Sequence, residues 1–116
     1  MAFNGDLIVL RIRRDAAAEF EALFADEELP VWRDFKARGL VRRAALVRIA
    51  YGSQESEAAM TAGEVEYGLY AEFDEMAQHQ AHDADPRFKA FLKKARLLQP
   101  RDPSVWGGDV VYTDAD

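Results

Sequence analysis

Residues 73–98, FDEMAQHQAHDADPRFKAFLKKARLL, decide how this chain folds. They read as one helical arm in two parts. The first part carries His79 and His82, both histidines of the protein. The second opens at Asp85-Pro86, an acidic N-cap followed by proline at the first helical position, where a fixed φ and a missing N–H do no harm. From there Phe88, Phe91, Leu92, Ala95 and Leu98 recur at helical spacing, while Arg87, Lys89, Lys93, Lys94 and Arg96 take the other faces. The basic cluster lies toward the helix C-terminus, where the macrodipole favours it.

Upstream of the arm, residues 64–73 alternate as a strand. Val65, Tyr67, Leu69, Ala71 and Phe73 share one face, and Glu64, Glu66, Tyr70 and Glu72 the other. Residues 52–63, GSQESEAAMTAG, are polar and rich in small residues, which predicts a hairpin loop. Residues 40–51 read as the strand before it, with Val41, Ala45, Val47, Ile49 and Tyr51 on a face opposite Arg42, Leu46 and Arg48. A helix capped by Asp15 runs to about Arg38, with Phe20, Leu23, Phe24, Val31, Trp32 and Phe35 as its apolar stripe. Pro30 predicts a kink or brief break near residues 27–30, and Gly39 a C′ terminator. The first strand, residues 7–14, puts Ile8, Leu10 and Ile12 opposite Leu7, Val9, Arg11 and Arg13. Downstream of the arm, residues 99–103 form a proline-punctuated connection. Residues 105–113 read as a last strand with a bulge at Gly107-Gly108, and residues 114–116 as a frayed tail.

The order β-α-β-β-α-β is the split βαβ arrangement. It predicts an α+β fold, ferredoxin-like, in which a four-stranded antiparallel sheet carries both helices on one face, in a single domain spanning residues 1–116. Composition agrees with a folded domain: nearly half the residues are hydrophobic. With 21 acidic against 15 basic residues the net charge is −6, which argues against a nucleic-acid partner. There is no cysteine, so disulfides, thiolate nucleophiles and Cys-based metal sites are out. No signal-peptide pattern or membrane-length apolar run is evident, and a cytoplasmic protein without a membrane partner is the expectation.

The sheet face away from the helices carries Leu7, Val9, Tyr70 and Leu46 beside Arg11, Arg13, Arg48, Glu66 and Glu72. A solvated face is the plainer reading. Apolar residues interleaved with charges of both signs favour a covered one, with Arg48 and Glu72 as ion-pair partners. A homodimer closing two sheets face to face is the expectation.

The run His82, Pro86, Phe88 and Phe91, as His-x-x-x-Pro-x-Phe-x-x-Phe, together with the passage LYAEFDEMAQHQAH, resembles the dimeric α/β-barrel superfamily, nearest to its antibiotic-biosynthesis-monooxygenase-like domains. The resemblance covers almost the whole chain in element order. It implies a ferredoxin-like protomer, a dimer through the sheets, and a ligand cavity between sheet and helices. Activities in the superfamily include cofactor-independent oxygenation of aromatic polyketides, isomerisation or dehydration of small molecules, and haem degradation. The haem-degrading branch uses an Asn on the first strand, a Trp on the third and a His on the second helix. Here Asn4 falls outside residues 7–14 and the third strand offers tyrosines, which weighs against haem.

Among the residues able to carry chemistry, His79 and His82 are one helical turn apart, with Asp83 four after His79. A histidine over an apolar cavity acts as acid or base near neutral pH. Helical geometry puts His79 nearer the apolar stripe, whereas the resemblance favours His82. Two histidines without a third ligand make a weak zinc site, and no metal is expected. Tyr67, on the helix-facing side, can hydrogen-bond a ligand or sit in the core with its hydroxyl at the edge. Tyr51 is a similar case. Trp32, Phe35, Phe88 and Phe91 wall an aromatic-binding cavity or simply fill the core.

Three readings follow. The first is a cofactor-independent monooxygenase-like or isomerase-like enzyme on an aromatic or polyketide-like substrate, with His82 as acid/base and Tyr67 positioning. The second is a non-catalytic binding module for a small apolar or aromatic ligand. The third is a structural or interaction dimer with a filled cavity. Light scattering on a size-exclusion column should return about 26 kDa, twice the 13.1 kDa chain; a clean monomer at micromolar concentration contradicts the paired sheets.

Overall fold

The computed structural model describes residues 3–114, so Met1, Ala2 and the last two residues of the expected tail lie outside it. Its strands are β1 (Phe3–Arg13), β2 (Arg43–Arg48), β3 (Glu64–Phe73) and β4 (Ser104–Val110). Its helices are α1 (Ala17–Leu23), α2 (Leu29–Ala37), α3 (Gln54–Thr61), α4 (Met76–Ala84) and α5 (Pro86–Arg96). The four strands form an antiparallel sheet in the order β2-β3-β1-β4, as the ferredoxin-like arrangement requires. Leu46, Leu69, Ile8 and Val105 lie directly across from one another through the ladder.

The helix-facing side holds two buried clusters. One joins Leu10, Ile12, Phe20, Tyr67, Phe91 and Ala95. The other joins Val31, Trp32, Phe35, Val41, Ala71 and Phe73. The helical arm breaks where Pro86 requires it. Asp85 adopts extended backbone, its side chain accepts the Arg87 N–H at 2.8 Å, and α5 starts afresh with proline in its first turn. Gly39, at φ 74°, closes α2 with a pair of bonds, Gly39 N to Lys36 O and Leu40 N to Phe35 O, a Schellman end.

Five local expectations need correcting. Residues 52–63 are not an open hairpin loop but contain α3. Glu, Ala and Met favour helix there, Ser53 enters in extended conformation, and Gly63 at φ 81° follows the end. Asp15 does not cap: it sits within a 3₁₀ turn over Arg14–Ala16. Pro30 does not break the helix either. A π turn over Phe24–Glu28, with Leu29 N–H donating to Phe24 O, widens the backbone just ahead of it. The last strand has no bulge, because the one-for-one register runs through Gly107 and Gly108, the latter opposite Gly5. A β-carbon on Gly5 would lie 2.9 Å from Val110 Cγ2.

The fifth correction concerns β2, whose alternation is opposite in phase to the expected one. Ala44 and Leu46 pack toward the helices, whereas Val47 is exposed. Arg48 goes with Leu46, and its guanidinium pairs with Glu21 on α1, not with Glu72. Glu72 instead accepts from Tyr70 and lies 3.5 Å from Arg43. The open face does pair Arg11 with Glu66, at 3.0 Å, and α3 covers that end, with Ser56 bonded to Glu66. Between the Arg11–Glu66 pair and the Arg43–Glu72 pair this face is apolar and bare: Leu7, Val47 and Trp106 are each more than half exposed.

Phe20 is 1% exposed and its ring stacks at a tilt on Tyr67 with centroids 4.9 Å apart. Phe20→Ala should therefore lower unfolding free energy by about 3–5 kcal/mol in urea titrations at fixed protein concentration. A loss below about 1 kcal/mol would mean the layer between sheet and helices is not packed as described.

Candidate functional site

A cavity of about 500 Å³ opens between the sheet and the two helical arms. Its walls are largely apolar: Ile8, Leu10 and Leu69 from the sheet, Phe20 from α1, Phe88 and Phe91 from α5. At one end the lining turns polar with Asp6, Glu28, His79 and Asp83, and Lys89 and Arg96 border it from α5. A concave apolar space with a few convergent polar groups is the usual form of a small-molecule site.

His79 is the centre of that polar end. Its ring stacks on Phe73 at 5.0 Å, and Nδ1 lies 2.8 Å from Asn4 Oδ1. Nε2 lies 3.3 Å from carboxylate oxygens of both Asp6 and Asp83. Burial pushes the Asp6 carboxyl above its ordinary value, and the neighbouring His79 pulls the other way.

One turn further along α4, His82 is 3% exposed and points into the interior. It stacks on Trp32 at 4.0 Å, meets Phe35 edge-on and touches Phe88 at 4.4 Å. Nε2 reaches Glu28 at 3.0 Å and Nδ1 reaches Asp83 at 3.1 Å. Glu28 is completely buried, and its Oε1 has no hydrogen-bond partner among the described residues. Burial raises the Glu28 carboxyl, opposed by the His82 bond. Burial would depress His82, but its bonds to Asp83 and Glu28 outweigh that, and the net displacement is upward.

Comparison with solved structures gives a consistent set of neighbours. A candidate antibiotic biosynthesis monooxygenase from Caulobacter crescentus CB15 superposes with a TM-score of 0.73 at 20% identity, over 96% of this chain and 92% of that one. Rv0793 from Mycobacterium tuberculosis gives 0.72 at 16%, over 97% and 99%. SnoaB, a cofactor-independent oxygenase from Streptomyces nogalater seen as a variant, gives 0.68 at 16%, over the whole of both chains. The chain shares the fold of these proteins. No family model matches the sequence. No curated protein matches it significantly.

On this shared scaffold His79, Phe88 and Phe91 line the cavity. His82, Trp32 and Phe35 do not: they stand together behind its polar end, the break before Pro86 having turned His82 inward. Tyr67 is also away from it. Its hydroxyl donates to Glu21 Oε2 at 2.6 Å, on the side where Arg48 closes on the same carboxylate. Burial and that bond push its phenol up to about 12. Tyr67 and His82 are thus not brought together. Tyr51, 87% exposed, stands off the cavity because β2 ends at Arg48, short of it.

Asn4, expected outside the first strand, lies within β1 and touches His79. Asp6 and Glu28 were not singled out by sequence. Asp6 shares the inward face with Ile8 and Leu10, a period-two signal that would have found it. Glu28 carries no such signal beyond its place just before Pro30. Among the described residues no group of three or more His, Asp or Glu side chains is arranged to hold a metal. Nor is any helix there long and apolar enough to cross a membrane.

A histidine displaced upward by folding stabilises the protein below its unfolded pKa, about 6.5, and that contribution is lost as pH rises through the folded value. Urea midpoints should therefore fall as pH rises above about 6.5, and His82→Gln should flatten that fall. A wild-type midpoint that rises there contradicts the buried contacts of His82.

Proposed function

We propose that this protein takes a small apolar, aromatic molecule into the sheet–helix cavity and transforms it by proton transfer, without a resident cofactor. The observation that carries the reading is the placement of His79, held between two carboxylates, at the polar end of an otherwise apolar space of about 500 Å³. That volume accommodates a molecule of two or three fused rings. Phe20, Phe88 and Phe91 offer ring faces and edges to it, and the His79–Asp6 pair would take or return a proton on a substrate hydroxyl or an acidic carbon. Removing a proton from a fused-ring phenol or ketone gives a delocalised anion. Such an anion isomerises on reprotonation, or reacts with dioxygen. The cofactor-independent reading draws support from the likeness to SnoaB, which is named as such an oxygenase.

In this reading the working form is a homodimer. The exposed Leu7, Val47 and Trp106 form one side of the sheet, and a second copy would cover them while leaving the cavity on the opposite side open. Asn4 beside His79 favours haem as a second reading, since the haem-degrading branch pairs such residues. The third strand, however, carries Tyr67 turned toward Glu21 in place of that branch's tryptophan.

Anthrone, a three-ring ketone with an acidic methylene, separates these readings. It should raise Tm in a thermal-shift assay, and the protein should speed exchange of its methylene protons with D₂O well above buffer. His79→Ala should keep the thermal shift and lose the exchange. Leu69→Trp, which fills the cavity, should lose both. A binding module would show the shift alone, and no shift with anthrone or 1-naphthol would overturn the cavity as a ligand site. Haemin producing a shifted Soret band that His79→Ala removes would favour the second reading.

A further inference from the structure

Two buried titratable groups, Glu28 and His82, take no part in that proton transfer, although Glu28 borders the cavity. The contacts run from Glu28 Oε2 to His82 Nε2 at 3.0 Å, then from His82 Nδ1 to Asp83 Oδ1 at 3.1 Å. Asp83 Oδ2 then lies 3.3 Å from His79 Nε2, which lies 3.3 Å from Asp6 Oδ2. Acid and imidazole alternate without a gap. A single carboxylate, Asp83, bridges both histidines of the chain with its two oxygens.

We infer that Glu28 and His82 form a buried positioning unit that acts through Asp83 on the proton held by His79 at the cavity. The physical reason is competition. When His82 is an imidazolium it draws on Asp83 and weakens that carboxylate's hold on His79; when His82 is neutral, the full charge of Asp83 is left to His79. Glu28 holds the Nε2 side of His82 as Asp83 holds the Nδ1 side, both favouring the imidazolium, and Glu28 is itself shielded from water. Asp83, half-exposed, is where the chain of contacts meets solvent.

What separates this from a purely structural pair is the continuity of the contacts from buried Glu28 through His82 and Asp83 to His79 at the cavity. The Trp32 indole also acts on the Glu28 carboxylate. The other groups facing His82 are Trp32 and Phe35 from α2, Phe88 from α5 and, through space, Asp85 and Asp6. His79 is faced by Asn4 and Asp6 from β1 and by Phe73 from β3, with Lys89 and Arg96 bordering the cavity from α5. The inference rests on the acid–base reading of the cavity only for its consequence in turnover; the coupling itself belongs to the free protein.

With two histidines in the sequence, imidazole ¹⁵N–¹H spectra resolve every ring nitrogen without ligand. Across about pH 5 to about pH 9 the His79 nitrogens should show an inflection at the midpoint of His82. Glu28→Gln should lower the His82 midpoint by about one pH unit and carry the His79 inflection with it. Asp83→Asn, a change at a half-exposed side chain, should remove the inflection from His79 while leaving that of His82. Should Glu28→Gln fail to fold, the wild-type and Asp83→Asn spectra decide alone. A His79 ring that ignores the His82 midpoint, or an inflection surviving Asp83→Asn, overturns the inference. Failure of anthrone to bind would overturn the enzymatic reading and leave these spectra unchanged.

Discussion

A carboxylate with no access to water must find a partner, and Glu28 finds His82. Two charges taken out of solvent are tolerated only when they meet in good geometry, and removal of either from such a pair typically costs about 3–5 kcal/mol. Glu28 belongs to the turn that joins α1 to α2, and His82 to the last turn of α4. Their contact therefore fastens one helical arm to the other above the sheet. Lys94 of α5 reinforces the seam by reaching Glu27 at 2.6 Å, and Arg87 by reaching Asp34 at 2.8 Å. Those outer pairs are largely solvent-exposed and weaker. The rings of Trp32, Phe35 and Phe88 enclose the imidazole and offer their faces and edges to a partly cationic group.

That seam explains why the space between the layers is not uniformly filled. On its Trp32 side the second cluster is closed. On its other side α5 leans on α1 through Phe91, Phe20 and Phe24, and the gap between Phe88, Leu69 and Ile8 stays open. The two histidines, one turn apart, fall on opposite sides of this division. His82 serves the seam and His79 serves the cavity. The sheet makes a second division between its faces. The helix-facing side holds the core and the ligand space, while the other side is half covered by α3 and otherwise presents Leu7, Val47 and Trp106.

Much of this was legible in the sequence. Alternation along β1 and β3, the Asp85-Pro86 start and Gly39 each express a local rule that the tertiary structure does not oppose. What was not legible had specific causes. In β2 apolar and arginine residues alternate in a way that both phases satisfy, and only the pairing of Leu46 with Leu69 chooses between them. In α3 the apolar residues are small and the helix covers only one end of the sheet, so no periodic stripe marks it. Glu28 looks like one more acid in a run with Asp26 and Glu27, and only the π turn rotates it inward. Tyr67 was placed on the correct sheet face, but its length carries the hydroxyl past the core to Glu21. The polar end of the cavity was half visible: His79 and Asp83 by helical spacing, Asp6 by strand period, Glu28 by neither.

The chemistry proposed for this fold needs an open apolar space whose acidic end is organised by His79. The most direct measurement is a crystal structure of the protein soaked with 1-naphthol. The account predicts ring density between Leu69, Phe20 and Phe88, with the naphthol oxygen within about 3.2 Å of His79 or Asp6. An empty or collapsed cavity, or naphthol bound solely on the outer sheet face beside Trp106, would contradict it.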